Sequence, residues 1–230
     1  MKICMVSPFA YGVNISPRLH QATLLVKKGH EVFFITPRQQ YMLRSLQKNS
    51  KFFIKRYRGV NIRYFNVMYS FPKLAYPFPD LVEEVELLNK IVKEENIDIV
   101  HFYQPEFLTS IPLPLIKKKF NKPALLTLNG FPGINWSYGS SIVDFVGLTY
   151  TQTITRFLMR YADKILLYAT NLKRYAKKLG VSEEKMVFLP EGIEFNMPQN
   201  INEARETVRM KLGVSSDEKL ITFTGRLVPV

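Results

Sequence analysis

The sequence predicts an α/β protein built on a doubly wound, mostly parallel sheet. Three observations carry this. Apolar runs of strand length are continuous instead of alternating, as strands covered on both faces require. Segments with apolar residues at helical spacing separate those runs, so strand, helix and strand recur as βαβ units. Glycine, proline and capping residues fall at the joints between them.

The elements follow in order. Lys2 to Ser7 is a short apolar run ended by Ser7-Pro8, a buried first strand. A turn with Gly12 leads to Ser16-Pro17, an N-cap followed by a first helical proline. Leu19, Ala22, Leu25 and Val26 keep helical spacing, and Gly29 closes that helix. Glu31 to Thr36 is the second strand and Asn61 to Val67 another. Asp80 to Glu94 reads as a helix with Leu81, Val85, Leu88 and Val92 on one face, and Ile97 to Phe102 as a strand. Leu108 to Lys118 has helical spacing but is interrupted by Pro112 and Pro114. Ala124 to Leu128 is a strand, and Ser141 to Tyr161 a long apolar helix whose weak part is Thr149 to Thr155. Ile165 to Tyr168 and Met186 to Leu189 are strands flanking a helix over Asn171 to Leu179. The region 1–198 therefore reads as one domain. Beyond it, Asn202 to Leu212 reads as an amphipathic helix and Lys219 to Thr224 as a new strand, so 199–230 reads as a linker and the start of a second domain. A second doubly wound domain needs roughly 100 more residues, so the sequence reads as cut at Val230.

Composition narrows the class. With 230 residues, 47% apolar and 22% charged, the chain has globular composition and length for a sizeable core. The single Cys4 rules out an internal disulfide framework and points to a reducing, cytoplasmic compartment. No apolar run approaches a bilayer span, and Ser7-Pro8 ends the N-terminal apolar run too early for a signal peptide. The 32 basic and 19 acidic residues leave a net charge of +13, which calls for an anionic partner. Between Val32 and Pro79 there is no acid, while bases and aromatics crowd together. Residues 38–79 are thus a candidate face for an anionic membrane surface, or a solvated basic face with its aromatics turned inward. The charge alone would also suit nucleic acid, but no nucleic-acid motif accompanies it, and no nucleic-acid partner is expected.

In a doubly wound sheet, ligands bind beyond the carboxyl ends of the strands. Four pieces of sequence fall there or at the corresponding place of a second domain. Gly12, with Asn14, lies in the turn after the first strand, where backbone can approach a phosphate at a helix N-terminus; it is equally an ordinary turn. Asp98-Ile99-Val100-His101 places His101 at the end of a buried strand facing the crevice, with Tyr103, Gln104 and Glu106 behind it in a stretch where function is to be sought; a structural histidine is the alternative. Thr127-Leu128-Asn129-Gly130 sets a polar side chain and a close-approach glycine beside His101. Phe223-Thr224-Gly225-Arg226-Leu227 ends the last strand in a guanidinium, a group that suits phosphate. The three histidines have no zinc-site spacing, and neither a G-x-S-x-G elbow nor a P-loop occurs.

Taken together these pieces resemble family 4 retaining glycosyltransferases of the GT-B fold, which pair two Rossmann-like domains. Lys2 to Pro8 is similar to the family's first strand, and Gly29-His30-Glu31-Val32 to its GHEV step. Asp98 to His101 resembles its D-[IV]-V-H strand, Thr127 to Gly130 its T-x-H-G segment, and Ala162-Asp163-Lys164-Ile165 its A-D-x-[IV] strand. Leu189-Pro190-Glu191-Gly192-Ile193-Glu194 resembles [IV]-P-N-G-[IV]-D, and Phe223 to Leu227 resembles F-x-G-R-L. The resemblance implies an N-terminal acceptor-binding domain and a C-terminal domain for a nucleotide sugar, with no metal and no cofactor beyond that donor substrate. It places Gly12, Asn14, His101, Tyr103, Gly130 and Glu191 at the substrates, Asn129 against the donor sugar, and Arg226 at the departing diphosphate. Asn129 stands where the family has histidine, keeping a hydrogen bond but no titratable group. The family's following Lys-Gly and E-x7-E do not occur before Val230, so this chain alone is expected to be inactive. The expected reaction is transfer of a sugar, with retention, to a lipid-linked or polysaccharide acceptor, on the inner face of a membrane. The alternatives are a non-catalytic glycan- or membrane-binding domain and a nucleotide-sugar epimerase of the same fold.

Overall fold

A computed structural model describes residues 1–10, 16–38, 55–71, 76–190, 192 and 197–223. Met1–Glu191 and Gly192–Val230 form two compact units. In the first, β1 (Lys2–Val6) leads through α1 (Pro17–Lys27) to β2 (Glu31–Pro37). The Leu19 N–H donates to Ser16 Oγ at 3.2 Å, and Pro17 stands where a helix has no use for an N–H. Gly29 takes φ +84° just past the last turn, a conformation glycine adopts at no steric cost.

The chain continues through β3 (Arg56–Tyr57), β4 (Val60–Phe65), β5 (Val67–Phe71), β6 (Tyr76–Pro79), α2 (Leu81–Glu94) and β7 (Ile99–Tyr103). Then come α3 (Leu113–Phe120), β8 (Ala124–Leu128), α4 (Ser141–Tyr150), a π-helical turn over Thr151–Thr155, and α5 (Arg156–Tyr161). β9 (Lys164–Leu167), α6 (Leu172–Lys178) and β10 (Met186–Phe188) complete the unit. One eight-stranded sheet has the order β10-β9-β8-β7-β1-β2-β4-β3, parallel throughout except for β3 against β4. From β1 the chain steps outward to β2 and β4, then returns to β7 on the other side of β1. That reversal makes the β1/β7 boundary the switch point, where a crevice opens.

Alternate residues of each strand face opposite layers. Cys4, Val6, Phe33, Ile35, Phe102 and Leu126 pack with Leu88 and Ile91 of α2, Leu113 of α3 and Leu158 of α5. Ile3, Met5, Val32, Phe34, Ile62 and Tyr103 pack with Leu19 and Ala22 of α1. Glu84 joins the inner face of α2: it is fully buried, and burial holds its carboxyl well above the usual range.

Two aspartates of the quoted motifs act on backbone at the amino edge of the sheet. Asp98 accepts the Lys2 N–H at 2.8 Å, tying β7 to the start of β1. Asp163 accepts the Ala124 N–H at 2.7 Å and pairs with Lys117 at 2.7 Å, tying β9 to β8. Partial burial pushes the Asp163 carboxyl up, but these hydrogen bonds outweigh it and hold the pKa below the ordinary value. Asp163→Ala leaves the Ala124 N–H without its acceptor and the Lys117 ammonium with the Lys122 carbonyl in place of a carboxylate; we expect a loss of about 1.5–3 kcal/mol in urea denaturation.

The structure differs from the predicted elements at the third helix, in the antiparallel pairings and at residues 219–223. Pro112 and Pro114 do not interrupt the third helix. They open it, as N-cap and first-turn residues, so it runs Leu113–Phe120 and not from Leu108. The strand β3 and the β5–β6 hairpin were not foreseen; both are antiparallel pairings whose register is visible only across the sheet. The long helix does weaken where expected, as a π turn over Thr151–Thr155 in which the Thr151 hydroxyl donates to the Pro132 carbonyl at 2.9 Å. Residues 219–223 form no strand: Ile221 and Phe223 are exposed, and no described strand pairs with them. The second unit holds α7 (Ile201–Leu212), capped by Asn200 and ended by Gly213 at φ +66°. Among the described residues no helix is long and apolar enough to cross a membrane.

Candidate active site

The carboxyl ends of β1, β7 and β8 converge on one polar cluster. Ser7, at the end of β1, is fully buried, and its hydroxyl donates to the Phe9 carbonyl at 3.0 Å. After β7 the backbone turns sharply. Gln104 adopts φ +56°, ψ +72°, a short 3-10 turn covers Pro105–Phe107, and Leu108 returns at φ +55°. Two non-glycine residues in the left-handed region mark a loop held by its surroundings. Its supports are visible: the Gln104 N–H donates to the Thr127 carbonyl at 2.9 Å, Ser110 Oγ to the Tyr103 carbonyl at 3.2 Å, and the Tyr150 hydroxyl to the Pro105 carbonyl at 2.7 Å.

This loop carries a buried acid. Burial raises the Glu106 carboxyl to about 7, against the pull of its own backbone hydrogen bond, the nearby Arg18 guanidinium and the Gln104 amide, 3.4 Å away. Arg18 also lies over the Tyr168 ring at 5.5 Å, bridging the end of β9 and the first turn of α1. Among the described residues, Gln104 Oε1, Thr109 Oγ1 and Asn129 Oδ1 are buried polar atoms with no hydrogen-bond partner. Gln104 and Asn129 follow the neighbouring strands β7 and β8, and two such atoms at adjacent strand ends suit a polyhydroxylated ligand, because each loses less in burial once a hydroxyl meets it.

His101 departs from its expected place. It lies two residues before the end of β7, not at the crevice, and is 5% exposed. The hydroxyl beside it is Thr127, with Nε2 2.6 Å from Oγ1, not Asn129. Its ring stacks on Tyr103 with centroids 4.0 Å apart, and the Tyr103 hydroxyl donates to Gln21 Oε1 at 2.8 Å. Burial depresses the imidazole to about 3, so it is neutral at ordinary pH. The cause is register: β7 and β8 pair His101 with Leu125 and Tyr103 with Thr127, which leaves Asn129 beyond both.

At Gly130, the expected close-approach glycine, a Cβ would meet Asn135 and Trp136 no closer than 3.7 Å, an ordinary contact. The constrained glycine is Gly133, at φ +73°, where a Cβ would come within 2.4 Å of the Asp144 and Leu148 backbone. Gly12, Asn14, Glu191 and Arg226 lie outside the described residues, as does much of the 38–79 face. Of what is described there, Lys55, Arg56 and Arg58 are exposed and Phe65 is buried. Among the described residues, no group of three or more His, Cys, Asp or Glu side chains is placed to hold a metal ion.

Sequence reading missed Arg18 and Thr109, whereas Gln104 and Glu106 lie in the stretch after β7 where it seeks function. Arg18 had a signal: it follows Pro17 in the first turn of the helix after β1, where an open α/β sheet meets its ligand. Thr109 had none, and the burial of all three residues after β7 follows from the turn there.

The sequence model for glycosyltransferase family 4 matches residues 19–196. The fold is similar to sucrose-phosphate synthase from Thermosynechococcus elongatus, with TM-score 0.62 and 14% identity over 94% of this chain and 53% of that one. It is similar to Anabaena Alr3699/HepE in complex with UDP, with TM-score 0.55 and 11% identity over 93% of this chain and 50% of that one. Arabidopsis thaliana UGT89C1, complexed with UDP-L-rhamnose, aligns with TM-score 0.51 and 10% identity over 84% of this chain and 53% of that one. The chain thus spans about half the length of these solved proteins. No curated protein matches it in sequence. The parallel sheet is that of a Rossmann-like GT-B domain. A family match that runs from α1 through β10 shows that this chain belongs to glycosyltransferase family 4.

Proposed function

We propose that this chain is the acceptor-binding half of a retaining glycosyltransferase. It takes sugar from a nucleotide-diphosphate donor to a lipid-linked or polysaccharide acceptor, without a metal, on the cytoplasmic face of a membrane. The observation that carries this reading is the pair of buried amide oxygens just past the carboxyl ends of β7 and β8, where Gln104 Oε1 and Asn129 Oδ1 lack partners among the described residues. That the fold is shared with proteins solved with UDP and UDP-L-rhamnose supports a nucleotide-sugar donor.

In this reading Asn129 and Gln104 accept hydrogen bonds from sugar hydroxyls and fix the ring in the crevice. Arg226 stabilises charge on the departing diphosphate, and the Gly12–Asn14 turn and Glu191 flank the donor. Asn129 cannot take up a proton, so it orients the sugar and contributes no pKa to the rate profile.

The test is turnover by the gene's full product, offered a panel of nucleotide sugars with membrane-lipid and glycan extracts. Acceptor-dependent release of nucleoside diphosphate, lost in Asn129→Ala by about 10²-fold in kcat/KM, is the expected result. Donor binding without transfer would favour the non-catalytic domain, and an epimerised nucleotide sugar the epimerase.

A further inference from the structure

The helical segment from Ser141 to Tyr161 carries exposed side chains along its whole length. Ile142, Phe145, Thr149, Thr153, Arg156 and Arg160 follow one another at intervals of three and four residues, and all six are exposed. The first half of this stripe is apolar, with Ile142 at 79%, Phe145 at 68% and Val146 at 61% exposure; no residue of α4 is buried. The second half is cationic. Trp136 and Tyr138 stack on each other at 5.2 Å in the loop before α4, both partly exposed. The only acid of the segment, Asp144, is turned back onto that loop, where it accepts the Ser137 hydroxyl and the Tyr138 N–H at 2.7 Å.

We propose that this face docks the protein on an anionic lipid bilayer. Apolar side chains and an aromatic pair at one end, with arginines in line at the other, match a helix that enters the acyl boundary obliquely and leaves its cations among headgroups. Charge selects the occupant. A second copy, itself carrying +13, would bring Arg156 and Arg160 against like charge, whereas an anionic surface attracts both. The segment is also fastened to the candidate site through the Tyr150–Pro105 hydrogen bond, so docking sets the crevice beside the membrane. This rests on the proposed function only in its consequence: among the two acceptor classes it selects the lipid-linked one.

The experiment is co-sedimentation of the chain with vesicles of phosphatidylcholine alone or with phosphatidylglycerol. The expected result is partition onto the anionic vesicles, reduced at least tenfold in I142E/F145E and several-fold in R156Q/R160Q, with unchanged circular dichroism. Partition onto anionic vesicles as strong in I142E/F145E as in wild type would overturn the proposal and return the contact to residues 38–79. Absence of vesicle binding by the wild type would also overturn it, as would a wild-type dimer that I142E/F145E dissociates. None of these readouts depends on sugar transfer, so failure here is distinct from failure of the transferase reading.

Discussion

Gly133→Ala is expected to destabilise the protein by about 3–5 kcal/mol, while Gly130→Ala, three residues earlier, costs under about 1 kcal/mol. At Gly133 two penalties combine. The backbone sits at φ +73°, and the added methyl would lie 2.4 Å from the Asp144 carbonyl oxygen and the Leu148 nitrogen. Neither is the end of a flexible side chain, so the loop after β8 must part from α4. At Gly130 the nearest atoms are 3.7 Å away, an ordinary contact. Urea denaturation of both variants checks the contrast. Gly130→Ala has a second use: if the donor sugar lies against the Gly130 backbone, turnover by the full product falls while stability holds. Full activity in Gly130→Ala would remove Gly130 from the substrate surface.

The second large effect is on the acid side of the stability curve. His101 has a folded-state pKa near 3 against an ordinary value of 6.5. Between those values the unfolded chain binds a proton that the native state does not, so this group's contribution is lost as pH falls through the window. The loss is about 2 kcal/mol by pH 5. Glu106 acts in the opposite sense: its native pKa near 7 stabilises the fold as pH drops from 7 toward 4.5, so the two limbs partly cancel in the wild type. His101→Asn separates them. At pH 7.5 we expect the variant to be less stable by about 1–2 kcal/mol, through lost packing on Tyr103. From pH 6.5 to 5 the gap should shift by about 2 kcal/mol in the variant's favour, measured by urea denaturation along a pH series. A pH-independent gap would mean that the imidazole is not held neutral by burial.

Much of this protein is legible in one dimension because its signals are local. The Ser16-Pro17 start and Gly29 stop of α1 depend on backbone geometry within one turn, and the structure reproduces them. The continuous apolar runs announced a parallel sheet, since only strands covered on both faces can be apolar throughout. The same logic failed at Pro112 and Pro114, because a proline that breaks a helix and one that opens it look alike until the preceding residues are placed.

Fold class and most element positions were therefore determined by the sequence alone, through periodicity, caps and turns that act over a few residues. Tertiary structure alone decided which side chains meet. Thr127 and not Asn129 faces His101, because register between neighbouring parallel strands is set by the whole sheet. Glu106 is driven toward neutrality by a burial that the left-handed turn at Gln104 creates. The apolar residues of α4 carry the pattern of a core helix, yet they stand in solvent, because burial belongs to the packing of layers and leaves no mark on the period of a single helix.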